Sequence, residues 1–231
     1  MTISNKVIEV NEKNKCLGVT IDNKLSWGPH TELVCKAFST KLRNLYKMNC
    51  LDKLTLCTII YNMGISPSVL YGILIWGNCA THLLDDVEKI HIKAARFIEK
   101  IKKSVKDSDV LARAKWKPLD YYYKKHMICK TYKIYNDLSS PLLQKFITKS
   151  KNRKTRNELK LNQPSYNYVS YKRSFSYRSA TSWNLVPLPV REEKSLDTFK
   201  KALVEAKVIP HINLGYNSTS RGRNPEEYLY Y

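Results

Sequence analysis

Three groups of residues in this chain are of types that do chemistry. The adjacent carboxylates Asp85 and Asp86 have the composition of a divalent-metal site. Cys79-x-x-His82 and His126-x-x-Cys129 have the spacing of two halves of a four-ligand zinc site. Between Lys100 and Arg178 lie 21 basic and 5 acidic residues, a surplus of 16 in a chain whose net charge is +20. Such a surplus suits phosphate neutralisation, and the interleaved Tyr121, Tyr122, Tyr123, Tyr132, Tyr166, Tyr168, Tyr171 and Tyr177 suit stacking on bases or packing on sugars.

Local pattern weakens the first two groups. Asp85-Asp86 falls in the first turns of an amphipathic helical stretch, where acidic residues favour the helix dipole. Both Cys/His pairs fall in or beside apolar helical patterns, where a buried cysteine is ordinary. The six cysteines (16, 35, 50, 57, 79 and 129) form no CxxC pair and nothing at the N-terminus reads as a signal peptide. Reduced thiols and an intracellular place, cytoplasmic or nuclear, are therefore expected. Phosphate-loop, dinucleotide-loop, HExxH and GxSxG signatures are lacking. The composition points to a polyanionic partner: RNA, DNA or their hybrid.

The elements that must position these residues are mainly helical. Lys15 to His30, KCLGVTIDNKLSWGPH, reads as a strand, a polar turn at 22–24 and a second half-strand, handing over at Trp27-Gly28-Pro29 to a helix. Leu33, Val34, Ala37, Phe38, Leu42, Leu45 and Tyr46 recur at helical spacing, predicting a helix from about His30 to Met48. A second helix is predicted from an Asp52 cap to Gly64, ended by Gly64 and Pro67. Leu54 to Leu84 carries no charged residue, but Gly64, Pro67 and Gly72 interrupt it. It reads as two buried helices joined at a proline turn rather than as a membrane span. A strong helix is predicted after a Thr81 cap, with Leu84, Val87, Ile90, Ala94, Phe97, Ile98 and Ile101 inward. Another begins at Pro118, and a last one is capped by Ser195 with Leu196, Phe199, Leu203 and Val204 inward.

Several of these strings resemble, in order, the region after the polymerase palm in reverse transcriptases of non-LTR (LINE-like) retrotransposons. The opening block is similar to that family's LGV-x-ID-x-x-L-x-W-x-x-H. Ile65, Pro67, Leu70, Tyr71, Gly72, Trp76 and Gly77 follow its I-x-P-x-L-x-YG-x-x-x-WG run. Leu84, Val87, Ile90, Lys93, Ala94 and Arg96 follow its L-x-x-V-x-x-I-x-x-KA-x-R run. A W-x-PL opening, Thr155-Arg156-Asn157, and Arg173 to Arg178 with Trp183, Asn184, Leu185, Pro187, Val190 and Arg191 complete the series, over about residues 13 to 206.

The resemblance implies a primer-grip-like hairpin, with Leu17, Gly18, Val19 and Trp27, and a helical thumb packing on a primer–template duplex. In that family the catalytic carboxylates and their magnesium belong to the palm, for which this sequence has no counterpart. The expectation is a mainly α chain with no catalytic residues, cofactor or metal of its own. Residues 1–104 would form a short β-hairpin plus thumb-like bundle, 105–208 a basic α-rich region with irregular loops, and 209–231 a flexible tail. Expected nucleic-acid contacts are Lys124, Lys125, Lys149, Lys151, Arg153, Lys154, Arg156, Lys172, Arg173 and Arg178. The palm and fingers of the same element are a further expected partner; a membrane is not. A host-adopted interaction module and a non-functional remnant are the alternatives.

Overall fold

A computed structural model describes residues 2–3, 6–7, 11–47, 54–150, 159–165 and 169–212. The chain divides into two compact units, Met1–Leu119 and Asp120–Tyr231. The architecture is mainly α with short antiparallel hairpins at the N-terminus, as the sequence predicts.

The first unit holds β1 (Thr2–Ile3) and β2 (Lys6–Val7), paired with each other, and β3 (Lys13–Cys16) and β4 (Val19–Asp22), paired with each other. The β3–β4 register runs from Lys13 opposite Asp22 to Cys16 opposite Val19. The connection is Leu17-Gly18, both at positive φ (47° and 82°), the two-residue geometry that matches strand twist. The hairpin reversal therefore lies earlier than residues 22–24, where a separate turn closes with the Leu25 N–H donating to the Asp22 carbonyl at 3.0 Å. The reason is Asp22: its carboxylate accepts the Ser26 N–H at 3.0 Å and the Trp27 N–H at 2.9 Å, closing 22–27 into a loop. Leu25 and Trp27 are held there at φ 50° and 66°, so this stretch is not a half-strand.

Helix α1 (Gly28–Lys47) follows with Pro29 in its first turn. It buries His30, Thr31, Phe38, Leu42 and Leu45, whereas Leu33 and Tyr46 stay 52% and 41% exposed. Asp52 lies outside the described residues. Helix α2 (Leu54–Ile60) runs on through a π-turn (Tyr61–Ile65) into α3 (Ser66–Leu70). Gly64 does not end it, because the wider π-turn carries the chain past Gly64 and Pro67 sits in the first turn of α3, where its missing N–H costs nothing. The break comes at Tyr71-Gly72, with Gly72 left-handed at φ 66° before α4 (Ile73–Trp76).

Helix α5 (Thr81–Ile98) takes Ala80, not Thr81, as its cap. It buries Leu84, Val87, Ala94 and Ile98 as predicted, and also Glu88, His91, Ile92 and Ala95. Helix α6 (Asp107–Arg113) packs on α5. Arg96 holds the intervening loop, donating to the Lys102 and Val105 carbonyls and to the Asp107 carboxylate at 2.7 Å. Residues 105–119 thus belong with the first unit.

Helix α7 (Leu119–Tyr135) leads into the second unit, followed by α8 (Phe175–Leu185), α9 (Leu188–Arg191) and α10 (Leu196–Glu205). Ser174 and Ser195 cap α8 and α10, accepting the N–H groups of Tyr177 and Thr198. Phe199 and Leu203 are fully buried; Val204 turns outward at 44% exposure. Of the tail expected over 209–231, Ile209–His211 form a 3-10 turn with Ile209 and Ile212 buried, and residues 213–231 lie outside the described residues.

Candidate nucleic-acid interface

The opening block and the Tyr-Gly/Trp-Gly string meet in the first unit. The Tyr71 hydroxyl donates to the Leu17 carbonyl at 2.8 Å, and a Cβ built on Gly18 would lie 3.4 Å from the Tyr71 ring. Trp76, fully buried, donates its indole N–H to the Tyr71 carbonyl at 2.9 Å. His30 lies edge-on to that indole at 5.8 Å and accepts the Thr20 N–H through Nδ1 at 3.3 Å. Val19 fills the space over Gly72, where a Cβ would approach its Cγ2 to 3.1 Å. Leu17, Gly18 and Val19 are therefore set by one brace, with Val19 buried and Leu17 86% exposed at the tip, while Trp27 is held separately by the Asp22 carboxylate. Gly72→Ala both forces a left-handed alanine and collides with Val19. It is expected to cost about 1–3 kcal/mol, read as a lower urea midpoint.

A polar node completes this unit's core. His91 Nε2 contacts the Lys117 carbonyl at 3.1 Å, and Nδ1 meets the Tyr61 hydroxyl. A carbonyl only accepts, so Nε2 carries the proton and Nδ1 accepts from Tyr61. Trp116 stacks on Tyr61 at 4.0 Å and on His91 at 5.1 Å. Glu88 accepts the Leu119 N–H at 2.7 Å. The W-x-PL string is thereby fastened to α5 by residues that helical periodicity had not singled out.

In the second unit, a bridge between Lys149 and Leu161 brings 148–150 beside 160–162, with the Ser150 N–H donating to the Lys160 carbonyl and the Asn162 N–H to Thr148. Asn184 grips Leu161 twice, accepting its N–H and donating to its carbonyl, both at 2.9 Å. The Trp183 indole N–H donates to the Leu159 carbonyl at 2.6 Å. The chain leaves this base at Ser150 and returns at Leu159. The predicted contacts Lys151, Arg153, Lys154 and Arg156, with Tyr166 and Tyr168, lie outside the described residues.

The remaining expected cations differ sharply in access. Arg178 is 2% exposed, its guanidinium donating to the Tyr123 hydroxyl at 3.1 Å and to the Lys172 carbonyl at 3.3 Å. Lys124 is 8% exposed and paired with Asp120 at 2.6 Å. Those two groups are committed inside the fold. Lys149 is exposed, lying 4.7 Å over the Tyr135 ring and 3.9 Å from Asp137. Arg173 is exposed, and Lys125 and Lys172 are half-buried. Among the tyrosines, Tyr123 and Tyr132 are core residues, whereas Tyr171 is exposed.

Asp85 and Asp86 lie in the second turn of α5, beyond the reach of the strongest dipole effect, and Asp86 pairs with Lys89 at 2.8 Å. Among the described residues, no three His, Cys, Asp or Glu side chains gather as metal ligands. No helix among them is long and apolar enough to cross a membrane.

Over 101 residues, 42% of its length, the chain is 28% identical to the RNA-directed DNA polymerase from mobile element jockey of Drosophila melanogaster. Over 95 residues, 40% of its length, it is 27% identical to the probable RNA-directed DNA polymerase from transposon BS of the same fly. The matched stretches cover 11% and 10% of those proteins, so the chain corresponds to only a small part of either. No family model matches the chain, and no solved structure does. The similarity is thus to reverse transcriptases of mobile elements, as the ordered motifs indicate.

Proposed function

We propose that this chain is the primer-grip and thumb part of a retrotransposon reverse transcriptase, a piece that holds nucleic acid and leaves polymerisation to residues it does not carry. The observation that carries the reading is its similarity to two RNA-directed DNA polymerases of mobile elements. A charge of +20, concentrated between Lys100 and Arg178, supports it. In this reading the β3–β4 tip, braced by Tyr71, meets the primer end, and the helices behind it support the duplex. Phosphate contact falls to accessible cations: Lys125, Lys149, Lys172 and Arg173, with the segment bearing Lys151, Arg153, Lys154 and Arg156. Arg178 and Lys124 act by holding the fold. The intact parent would use magnesium in its palm, and that palm is a partner of this chain.

The test uses the full chain with a labelled 20-base-pair RNA–DNA hybrid. Fluorescence anisotropy at 50 mM salt is expected to show saturable binding, and a primed RNA template with magnesium and nucleotides is expected to give no extension. Extension by the chain alone, or no hybrid binding at 50 mM salt, overturns the proposal.

A further inference from the structure

The second unit carries a basic face that joins one of the ten expected contacts, Lys125, to two lysines outside that set, Lys133 and Lys200. On α7, Lys125, Cys129 and Lys133 follow one another at four-residue spacing, so their side chains lie along one stripe. Eight residues of helix separate the two ammonium-bearing positions by about 12 Å along the axis. Helix α10 lies against α7, because Phe199 stacks on Tyr132 at 4.1 Å, and this sets the neighbouring Lys200 beside the stripe. The Cys129 thiol feels all three cations: burial raises its pKa, and Lys125, Lys200 and Lys133 each oppose that rise. Tyr121 lies one turn before Lys125 on the same helix, its phenol pKa raised by burial first, then by Tyr122 and least by Cys129. Acidic neutralisation is sparse. The sole carboxylate of α7, Asp120, is 2.6 Å from Lys124, and Asp197 of α10 is 3.2 Å from Lys200.

We infer that Lys125, Lys133 and Lys200, grouped around Cys129 with Tyr121 at one end, form a surface that binds the phosphate backbone of a nucleic-acid strand. The inference rests on the nucleic-acid reading above and assigns it a place. Charge complementarity selects the occupant: three cations around a half-buried thiol, with Asp197 the carboxylate paired to one of them among the described residues, fit successive phosphates. The flat phenol of Tyr121 adds a sugar or base contact.

Two readouts on the full chain test it, both with the 20-base-pair RNA–DNA hybrid. The first needs no variant: alkylation of Cys129 by iodoacetamide, read by mass spectrometry, slows at least fivefold when hybrid is bound, while that of exposed Cys16 is unchanged. In the second, the Lys125→Gln/Lys133→Gln/Lys200→Gln variant binds at least tenfold more weakly at 50 mM salt, with a salt dependence shallower by about two to three phosphates. An equal change of charge at the exposed Lys194, Lys201 and Lys207 of the same unit leaves binding within threefold. Wild-type binding with unprotected Cys129 and an unaffected triple variant overturns this site while the nucleic-acid reading stands. Equal loss in both variants also overturns it, since bulk charge is then sufficient. Absence of wild-type binding overturns both.

Discussion

Trp183→Ala is expected to cost the second unit about 3–5 kcal/mol, the range for truncating a fully buried large aromatic. Trp183 has no exposed surface and is surrounded by Tyr135 at 5.3 Å, Phe199 at 6.0 Å and Tyr132 at 6.4 Å between ring centroids. It also anchors the 159–161 segment through its indole N–H, so truncation leaves the Leu159 carbonyl without that donor. Domains are stable by only about 5–15 kcal/mol, so a loss of this size takes much of the unit's margin. Trp183→Phe separates the two contributions. It keeps an aromatic in the stack and removes the indole hydrogen bond, and should cost about 1–2 kcal/mol more than repacking alone. Urea unfolding followed by far-ultraviolet circular dichroism reads both variants. A loss under about 1 kcal/mol for Trp183→Ala would contradict the packing described.

Acidification to pH 4.5 is expected to remove about 2–3 kcal/mol from the first unit through His91 alone. Burial pushes this imidazole down to about 4, partly opposed by the bond to the Lys117 carbonyl, which favours the charged ring. Its folded value lies below its unfolded value of about 6.5, so the unfolded chain binds the proton first as pH falls. The stabilisation is complete above pH 6.5 and declines until about pH 4. Protonation also places a hydrogen on Nδ1, where the Tyr61 hydroxyl now donates, so that bond must reverse or break. The Asp22 carboxyl responds in a different range. Burial raises its pKa, but the N–H donors of Ser26 and Trp27 outweigh that and hold it below the ordinary value. Its contribution is therefore present above the usual carboxylate range and lost only as pH falls through its lowered folded value. Urea midpoints at pH 7.0 and 4.5, compared between wild type and His91→Gln, isolate the histidine. The variant starts less stable and should lose less on acidification; equal losses would contradict a buried neutral His91.

The helical elements were legible because their signals are local. Ser195 caps its helix, Pro29 sits in a first turn, and the stripe from Leu84 to Ile98 fills the core side of α5, whereas the Ser174 cap of α8 was not singled out. What periodicity missed were polar groups buried through distant partners. Glu88 and His91 occupy inward positions of α5 because Leu119 and Lys117, some 26 to 31 residues later, supply their hydrogen-bond partners. The hairpin turn was displaced for a related reason. Asp22-Asn23-Lys24 has turn composition, but Asp22 uses its carboxylate to fold the following loop, leaving the strand reversal to Leu17 and Gly18.

The candidate site rests on composition, which does not single out individual residues. A basic count does not distinguish Lys124 and Arg178, whose charges the fold consumes, from Lys125 and Arg173, which keep some exposure. Nor does it bring Lys200 beside Lys125 and Lys133, since the two helices are joined by the Tyr132–Phe199 stack rather than by sequence. Arg96 shows the same limit in the first unit: its charge counts toward the basic total, yet its guanidinium holds the loop from Lys102 to Asp107.

The salt dependence of RNA–DNA hybrid binding by the full chain tests the central claim most directly. Four to six phosphate contacts predict a slope of log K against log salt of about −4 to −5, a loss of several hundredfold between 50 and 200 mM. A slope near zero, or no binding at 50 mM, would contradict a chain whose basic surface holds nucleic acid.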